Sequence, residues 1–409
     1  MSGLSDNVRK LRRTAGLTQE SLAEAAGLSP TTVAKVEQGG EVRNATLHAL
    51  ARALDVPTSA LFVTEATLPV GDDRGNRRRL VELRQALTPP AGLDGPLVKE
   101  TPAGELPELS RQIKDGYALY QADRYDSVAK VLPSLLRVTG ATVAAGEGDG
   151  RGAATVVRVQ ALLLTGTFLT QVRQYDLAYY AHSEAIRLAG ELGQRQLASV
   201  GVDGLCWLLI RQARFDECED LATRTAMEVE PRLSRASQGE IAAWGRLWLR
   251  ASAAAIRNNR SEEAAEARRM AAVAASAMAD ESLDFPNHLG SFGPVTAEMK
   301  AVEDLSLLGD ARGVLDHADS GPLTPTALRN FGRLSRPSWG RHRLDVARAH
   351  VTLGAHQEAM DVLTSVLRTS GEWIKHQPMA RDIMGDLLKS RKRTLTREMR
   401  VMAHHLGVS

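Results

Sequence analysis

Thr31, Thr32 and Lys35 lie within TQESLAEAAGLSPTTVAKVEQG, residues 18–39 of a 409-residue chain. Val33 and Val36 in the same stretch are spaced to face inward on a short helix, which turns the two hydroxyls and the ammonium outward. Such a face can hydrogen-bond to a partner, but it holds no nucleophile–base pair with which to break a covalent bond. Elsewhere the residue types that catalyse are present without the spacing that catalysis needs. The sequence has no GxGxxG, no GxxxxGK[ST], no HExxH and no CxxC. His182, His288, His342, His350, His356 and His376 are scattered, and His404 and His405 stand side by side on a basic tail. Neither an enzyme, a metal site nor a cofactor is expected.

The elements that must position Thr31, Thr32 and Lys35 are punctuated locally. Ser5 is placed to cap a helix to about Ala15, with Val8, Leu11 and Arg12 inward and Gly16 as its stop. Thr18 caps a second helix carrying Leu22, Ala23 and Ala26, ended by Gly27. Ser29 caps a third, with Pro30 at its first position, where a missing N–H costs nothing. A fourth runs from about Asn44 to Leu54, and Val56, Leu61 and Phe62 follow as a further apolar patch.

Short helices joined by a four-residue turn make a helix-turn-helix. TQESLAEAAGLS, TTVAKVEQG and LHALARALDVP, across about Val8 to Phe62, resemble the Cro/CI-type (XRE) repressors. The resemblance implies that the third helix enters the major groove of double-stranded DNA with Thr31, Thr32 and Lys35 at base edges. It implies a DNA-binding set of Gln19, Ser29, Thr31, Thr32, Lys35 and Arg43, with Gln19 and Arg43 meeting phosphate. Arg12 and Glu37 resemble the family's bracing ion pair. Pro30 departs from relatives that carry a polar reader there, which shifts weight toward DNA shape. Residues 1–62 hold seven Lys/Arg against six Asp/Glu, so one copy has a weak phosphate term. Useful affinity then requires a homodimer on a palindromic operator, with half-sites about one helical turn apart.

Composition agrees with a helical, multi-domain chain. Aromatic residues are 4% and the net charge is +2, so no global basic field marks the chain for nucleic acid. The start, MSGLSDNVRK, lacks a signal-peptide core, no apolar run of membrane-spanning length is read, and two cysteines suit a reduced, cytoplasmic setting. Residues 64–108 are rich in Pro, Gly and charge and read as a linker around one short helix, in which Arg77, Arg78 and Arg79 form a solvated face.

A repeat occupies the rest. RYDSVAKVL at 124, QYDLAYYAH at 174, RFDECEDLA at 214 and RSEEAAEAR at 260 are followed by weaker copies, DARGVLDHA at 310 and AHQEAMDVL at 355. Each places a small or β-branched residue at one slot: Val128, Ala178, Cys218, Ala264, Val314 and Ala359. Twelve positions earlier stand Gly116, Gly166, Cys206, Ser252, Val302 and Ala347. Close crossing of two helices needs such residues on both. The two cysteines fill both slots of one copy and read as packing. Trp244 and Trp248 read as core.

The pattern resembles tetratricopeptide (TPR) arrays, with longer helices or loops than usual. That resemblance implies an all-α chain: a helix-turn-helix domain over 1–63, the 64–108 linker, and a right-handed TPR-like solenoid over 109–409. In such arrays the first helix of each pair lines a concave surface. Counting eleven, fifteen and eighteen residues back from the small slots gives a ligand-lining set of Tyr117, Gln160, Thr167, Asp203, Trp207, Arg246, Thr296, Met299, Glu303 and Arg341. The layout is similar to the RRNPP quorum-sensing receptors and, especially through RHRLDVARAHVTLGAHQEAMDVL and the FGPVT helix start, to actinobacterial XRE regulators with TPR-like carboxyl domains. It implies a transcriptional regulator whose repeats dimerise and bind a peptide or small signalling molecule, which changes the spacing of the DNA-binding domains. The alternative is a TPR adaptor for protein partners without ligand sensing.

Overall fold

The computed structural model describes residues 4–40, 42–56, 58–61, 74–93, 95–96, 101–330, 334–390 and 395–408. The chain is overwhelmingly helical. Its first helices are α1 (Leu4–Thr14), α2 (Gln19–Ala26), α3 (Pro30–Glu37) and α4 (Asn44–Ala53), followed by a 3-10 turn at Thr58–Leu61. The Thr18 hydroxyl accepts from the Ser21 N–H, and the Ser21 side chain returns the bond to the Thr18 backbone. Gly27 closes α2 in the left-handed region at φ 64°, and Ser29 accepts from the Thr32 N–H to open α3. Ser5 lies inside α1 rather than capping it. Val8, Leu22, Val33, Val36, Leu47, Leu50 and Leu61 meet in a small core, and Phe62 lies outside the described residues.

A second, larger core begins with α5 (Arg74–Leu87), whose Leu83, Ala86 and Leu87 are buried in it. The side chains of Arg77, Arg78 and Arg79 lie outside the described residues. A two-residue antiparallel pair follows, β1 (Ala91–Gly92) and β2 (Gly95–Pro96). Then come successive helix pairs: α6 (Leu106–Gln121) with α7 (Tyr125–Ala145), α8 (Gly148–Gln171) with α9 (Tyr175–Glu191), and α10 (Arg195–Arg211) with α11 (Phe215–Glu228). The series continues with α12 (Gln238–Arg257) and α13 (Ser261–Ser276), then α14 (Pro294–Leu308) and the short α15 (Ala311–His317). After α16 (Pro325–Asn330), α17 (Arg336–Thr352) pairs with α18 (His356–Thr369), and α19 (Gly371–Lys375), α20 (Pro378–Ser390) and α21 (Arg397–Leu406) close the body.

All twelve slot residues named from the repeat are buried. The pairs touch across the crossing: Ser252 Oγ donates to the Ala264 carbonyl at 3.0 Å, and Cys218 Sγ to the Cys206 carbonyl at 3.4 Å. Both cysteines are free thiols, and burial pushes the Cys206 thiol well up, which keeps it protonated. Each pair also turns through one left-handed residue five positions before its small slot. These are Asp123, Arg173, Ala213 and Asn259, at φ of 60, 63, 59 and 60°, then Gly309 and Gly354. The same cap geometry recurs six times, although only the last two copies use glycine, which bears no Cβ penalty there.

One expectation is refined. By length and hydropathy α7 and α8 do pass as candidate membrane spans. Their apolar faces, including Leu132, Leu136 and Leu162 to Leu164, are spent on the large core instead. Trp244 and Trp248 are buried and meet edge to face, with ring centroids 6.5 Å apart.

Candidate nucleic-acid interface and a cationic cavity

Glu37 sits at the end of α3 and is 2% exposed. It accepts from Arg12 Nε at 2.6 Å and Arg12 Nη2 at 3.0 Å, and from Gln19 Nε2 at 2.7 Å. Arg9 donates to its backbone carbonyl at 2.6 Å. Burial pushes the Glu37 carboxyl up, but the hydrogen bonds from Arg12 and Gln19 and the charges of Arg12 and Arg9 outweigh it, so its pKa lies below the ordinary range. One carboxylate thus ties α1, α2 and α3 together. The outer face of α3 stays open: Thr31 and Lys35 are exposed.

The other members of the expected DNA-binding set are partly committed. Gln19 is half-buried against Glu37, so its amide braces the fold. Ser29 and Thr32 bond to each other, Oγ to Oγ1 at 2.8 Å. Arg43 is held by the body: its Nη1 and Nη2 donate to the two Asp386 oxygens at 2.6 and 2.7 Å, and Asp382 lies 3.8 Å from its Nε. Burial raises the Asp386 pKa less than Arg43 and Arg348 lower it, so Asp386 stays ionised.

Two more contacts fasten the small unit to the body. Asn259 Nδ2 donates to the Val56 carbonyl at 3.2 Å. His48, 4% exposed, packs 6.2 Å from the Phe215 ring and reaches the Arg257 backbone. Burial, aided by the charges of Arg257 and Arg52, drops the His48 pKa to about 4, so the ring is neutral.

Inside the body a cavity of about 190 Å³ opens among the first helices of the pairs. Of the ten residues expected to line a ligand site, Tyr117, Thr167, Trp207, Arg246, Thr296, Glu303 and Arg341 are on its wall. Three are not. Asp203 lies behind the wall, accepting from Arg246 Nε at 2.8 Å and Arg250 Nε at 2.7 Å. Met299 is 3% exposed in the core, and Gln160 is half-buried away from the wall. The wall also carries Tyr120, Gln121, Gln171, Arg211, Arg250, Arg257, Lys300, Trp373 and Gln377, which the register count missed. Four of these, Gln121, Gln171, Arg211 and Arg257, stand seven residues before a small slot, one turn past the row that was counted. Trp373 and Gln377 come from α19 and the residue pair after it, outside the repeat.

Charge is concentrated here. Glu303 is bonded by Arg257 Nη2 and by Lys300 Nζ at 2.5 Å, with Arg341 at 3.7 Å. Burial would raise the Glu303 carboxyl, but those three cations hold it well below its ordinary range. Among the described residues no group of acidic, histidine or cysteine side chains is arranged to hold a metal.

Residues 8–61 match the HTH_3 family model, a helix-turn-helix. The match spans the small core and its helices and stops before the body. Comparison with curated proteins returns no match. The amino-terminal unit is therefore a helix-turn-helix of the XRE type.

Proposed function

We propose that the protein is a cytoplasmic, sequence-specific DNA-binding transcriptional regulator, and that its TPR-like body senses a small signalling molecule and holds two copies together on a palindromic operator. The observation that carries the reading is the helix-turn-helix at 8–61, which leaves Thr31 and Lys35 exposed on a helix braced by Glu37. The sensing half is supported by a shared element. Arg257, the last residue of α12, stands on the cavity wall and beside His48, and Asn259 two residues on holds Val56. A molecule that moves the end of α12 also moves the seat of the DNA-binding unit. Arg43 adds a competition, because Asp386 occupies the guanidinium that the family resemblance assigns to phosphate. Effector and DNA then couple reciprocally, by the 1–3 kcal/mol typical of such switches (about 5–150-fold).

Gel shift with the protein's own upstream DNA tests this directly. Replacing Thr31, Thr32 and Lys35 together by alanine should lower specific binding by about 100-fold or more, at roughly 1–3 kcal/mol per base contact, with an unchanged thermal transition. A triple variant that still selects the same site would show that α3 does not read the sequence. Wild-type protein that retards no DNA in a sequence-dependent way would leave the adaptor reading.

A further inference from the structure

We infer that the cavity in the helix-pair body binds a small organic oxyanion: a carboxylate or phosphate group carried on an apolar body of about one ring's bulk. The inference rests on the sensing role proposed above and names the chemistry of what is sensed.

Charge points first to an anion. Arg211, Arg246, Arg250, Arg257, Lys300 and Arg341 all line the cavity, and Glu303 is the carboxylate on the wall. Adding Asp203 and Asp345, which stand behind the wall, still leaves cations outnumbering carboxylates two to one. Burial also pushes the Asp345 carboxyl up to about 7 against the pull of Arg341, so its negative charge is only partly developed.

The pairing pattern sharpens this. Asp203 is used by Arg246 and Arg250, and Glu303 by Arg257 and Lys300. Arg211 Nη2 is left buried without a hydrogen-bond acceptor, and Arg341 Nε has Asp345 Oδ2 at 3.7 Å, beyond hydrogen-bond reach. So is Nε2 of Gln171, a side chain only 2% exposed that faces the same cavity. The Tyr117 hydroxyl accepts from the Gly290 N–H at 2.7 Å and from Gln121 Nε2 at 2.8 Å, so its own hydrogen remains to be donated. A buried donor without an acceptor is costly, and several converging on one space call for an oxygen-rich partner. The guanidinium fork fits carboxylate or phosphate oxygens in pairs.

The wall and the volume supply the rest. Tyr117, Tyr120, Trp207, Leu249, Leu289 and Trp373 give the cavity an apolar side that a bare inorganic anion would leave uncovered. A volume of about 190 Å³ is slightly larger than the roughly 150 Å³ cavity known to admit benzene. It encloses one substituted ring, not an extended peptide.

The test uses the full-length protein, with tryptophan fluorescence from Trp207 and Trp373 and calorimetry as readouts. The probes are benzoate, phenyl phosphate, neutral benzamide and inorganic phosphate. Benzoate or phenyl phosphate should bind at least about tenfold more tightly than benzamide, and phenyl phosphate about tenfold more tightly than inorganic phosphate, with affinity falling as salt rises. R211Q and R341Q should each weaken the better anion about tenfold. The wild-type comparison of charged and neutral probes decides the matter even if either variant fails to fold. Benzamide binding as well as benzoate, or no saturable binding of either organic anion, overturns the inference; inorganic phosphate matching phenyl phosphate overturns the apolar body. Specific DNA binding without anion binding would remove this site and leave the regulator. Anion binding without specific DNA binding would do the reverse.

Discussion

The amino-terminal unit and the helix-pair body bury the same kind of ion pair for different ends. In the small unit Glu37 draws Arg12 and Gln19 inward, and the polar side chains of α3 are thereby left facing solvent. In the body Asp203 and Glu303 draw Arg246, Arg250 and Arg257 inward, but these cations still border an internal space. Desolvating a charge is costly, and a buried pair is weak evidence for stability. What both arrangements achieve is orientation. One leaves a helix face open to solvent, and the other borders an internal cavity.

Acid should separate the two regions most strongly. His48 is neutral in the fold at a pKa of about 4, against 6.5 for a free histidine. A depressed histidine pKa means that the unfolded state binds the proton more readily. The stability it supports is therefore complete above about pH 6.5 and falls as pH drops toward 4, by about 3 kcal/mol in all. Four histidines of the body, His182, His288, His342 and His376, carry the same shift, against one in the amino-terminal unit. Hydrogen-exchange protection of the body should therefore fall by more than that of residues 8–61 as pH drops from about 6.5 to 4; equal loss from both regions would mean that their cores unfold as one.

Gly166→Ala probes the body alone. A Cβ there would stand 2.7 Å from the His182 ring, which is fully buried and cannot swing away. The expected cost is about 1–3 kcal/mol, read as a lower melting temperature. Protection of residues 8–61 should be unaffected if the two cores are independent.

Asp386→Asn acts at the junction. It removes the charge that holds Arg43, and both partners are partly exposed, so about 1 kcal/mol or less is at stake. Non-specific and specific DNA affinity should rise together, by no more than about fivefold. A fall in affinity would show that the docked position of the small unit is the one that binds DNA.

The smallest expected effect is a gain. Ala213 turns between α10 and α11 at φ 59°, where Gly309 and Gly354 stand in the later copies. Ala213→Gly removes the Cβ strain of about 1–2 kcal/mol and adds unfolded-state entropy that offsets part of it. A net stabilisation of about 0.5–1 kcal/mol is expected from denaturant unfolding.

How much was legible follows from how far each interaction reaches. The caps at Thr18, Gly27 and Ser29 close within three or four residues, and each was readable from residue type and spacing. The small slots were readable because one packing requirement recurs at every helix crossing. Ser5 misled because its residue type suits a cap whether or not the helix already covers it. The cavity was legible only where it kept the repeat's register. Seven of the ten expected residues line it, and one further row, seven before each slot, would have added Gln121, Gln171, Arg211 and Arg257. No spacing argument could reach Trp373 or Gln377.

Sequence alone determined a helical chain, a helix-turn-helix at its start, the residues its third helix turns outward, and the crossing points of the pairs behind it. Those depend on backbone hydrogen bonds and on a helical period that act over one or two turns. Tertiary structure decided that Gln19 faces Glu37, that Arg43 meets Asp386, and that Asp203 lies under Arg246 rather than in the cavity. Those pairings join residues 18, 343 and 43 positions apart. A charged side chain on an exposed-looking face has many partners within reach of its own helix, and only the packing of distant helices selects one.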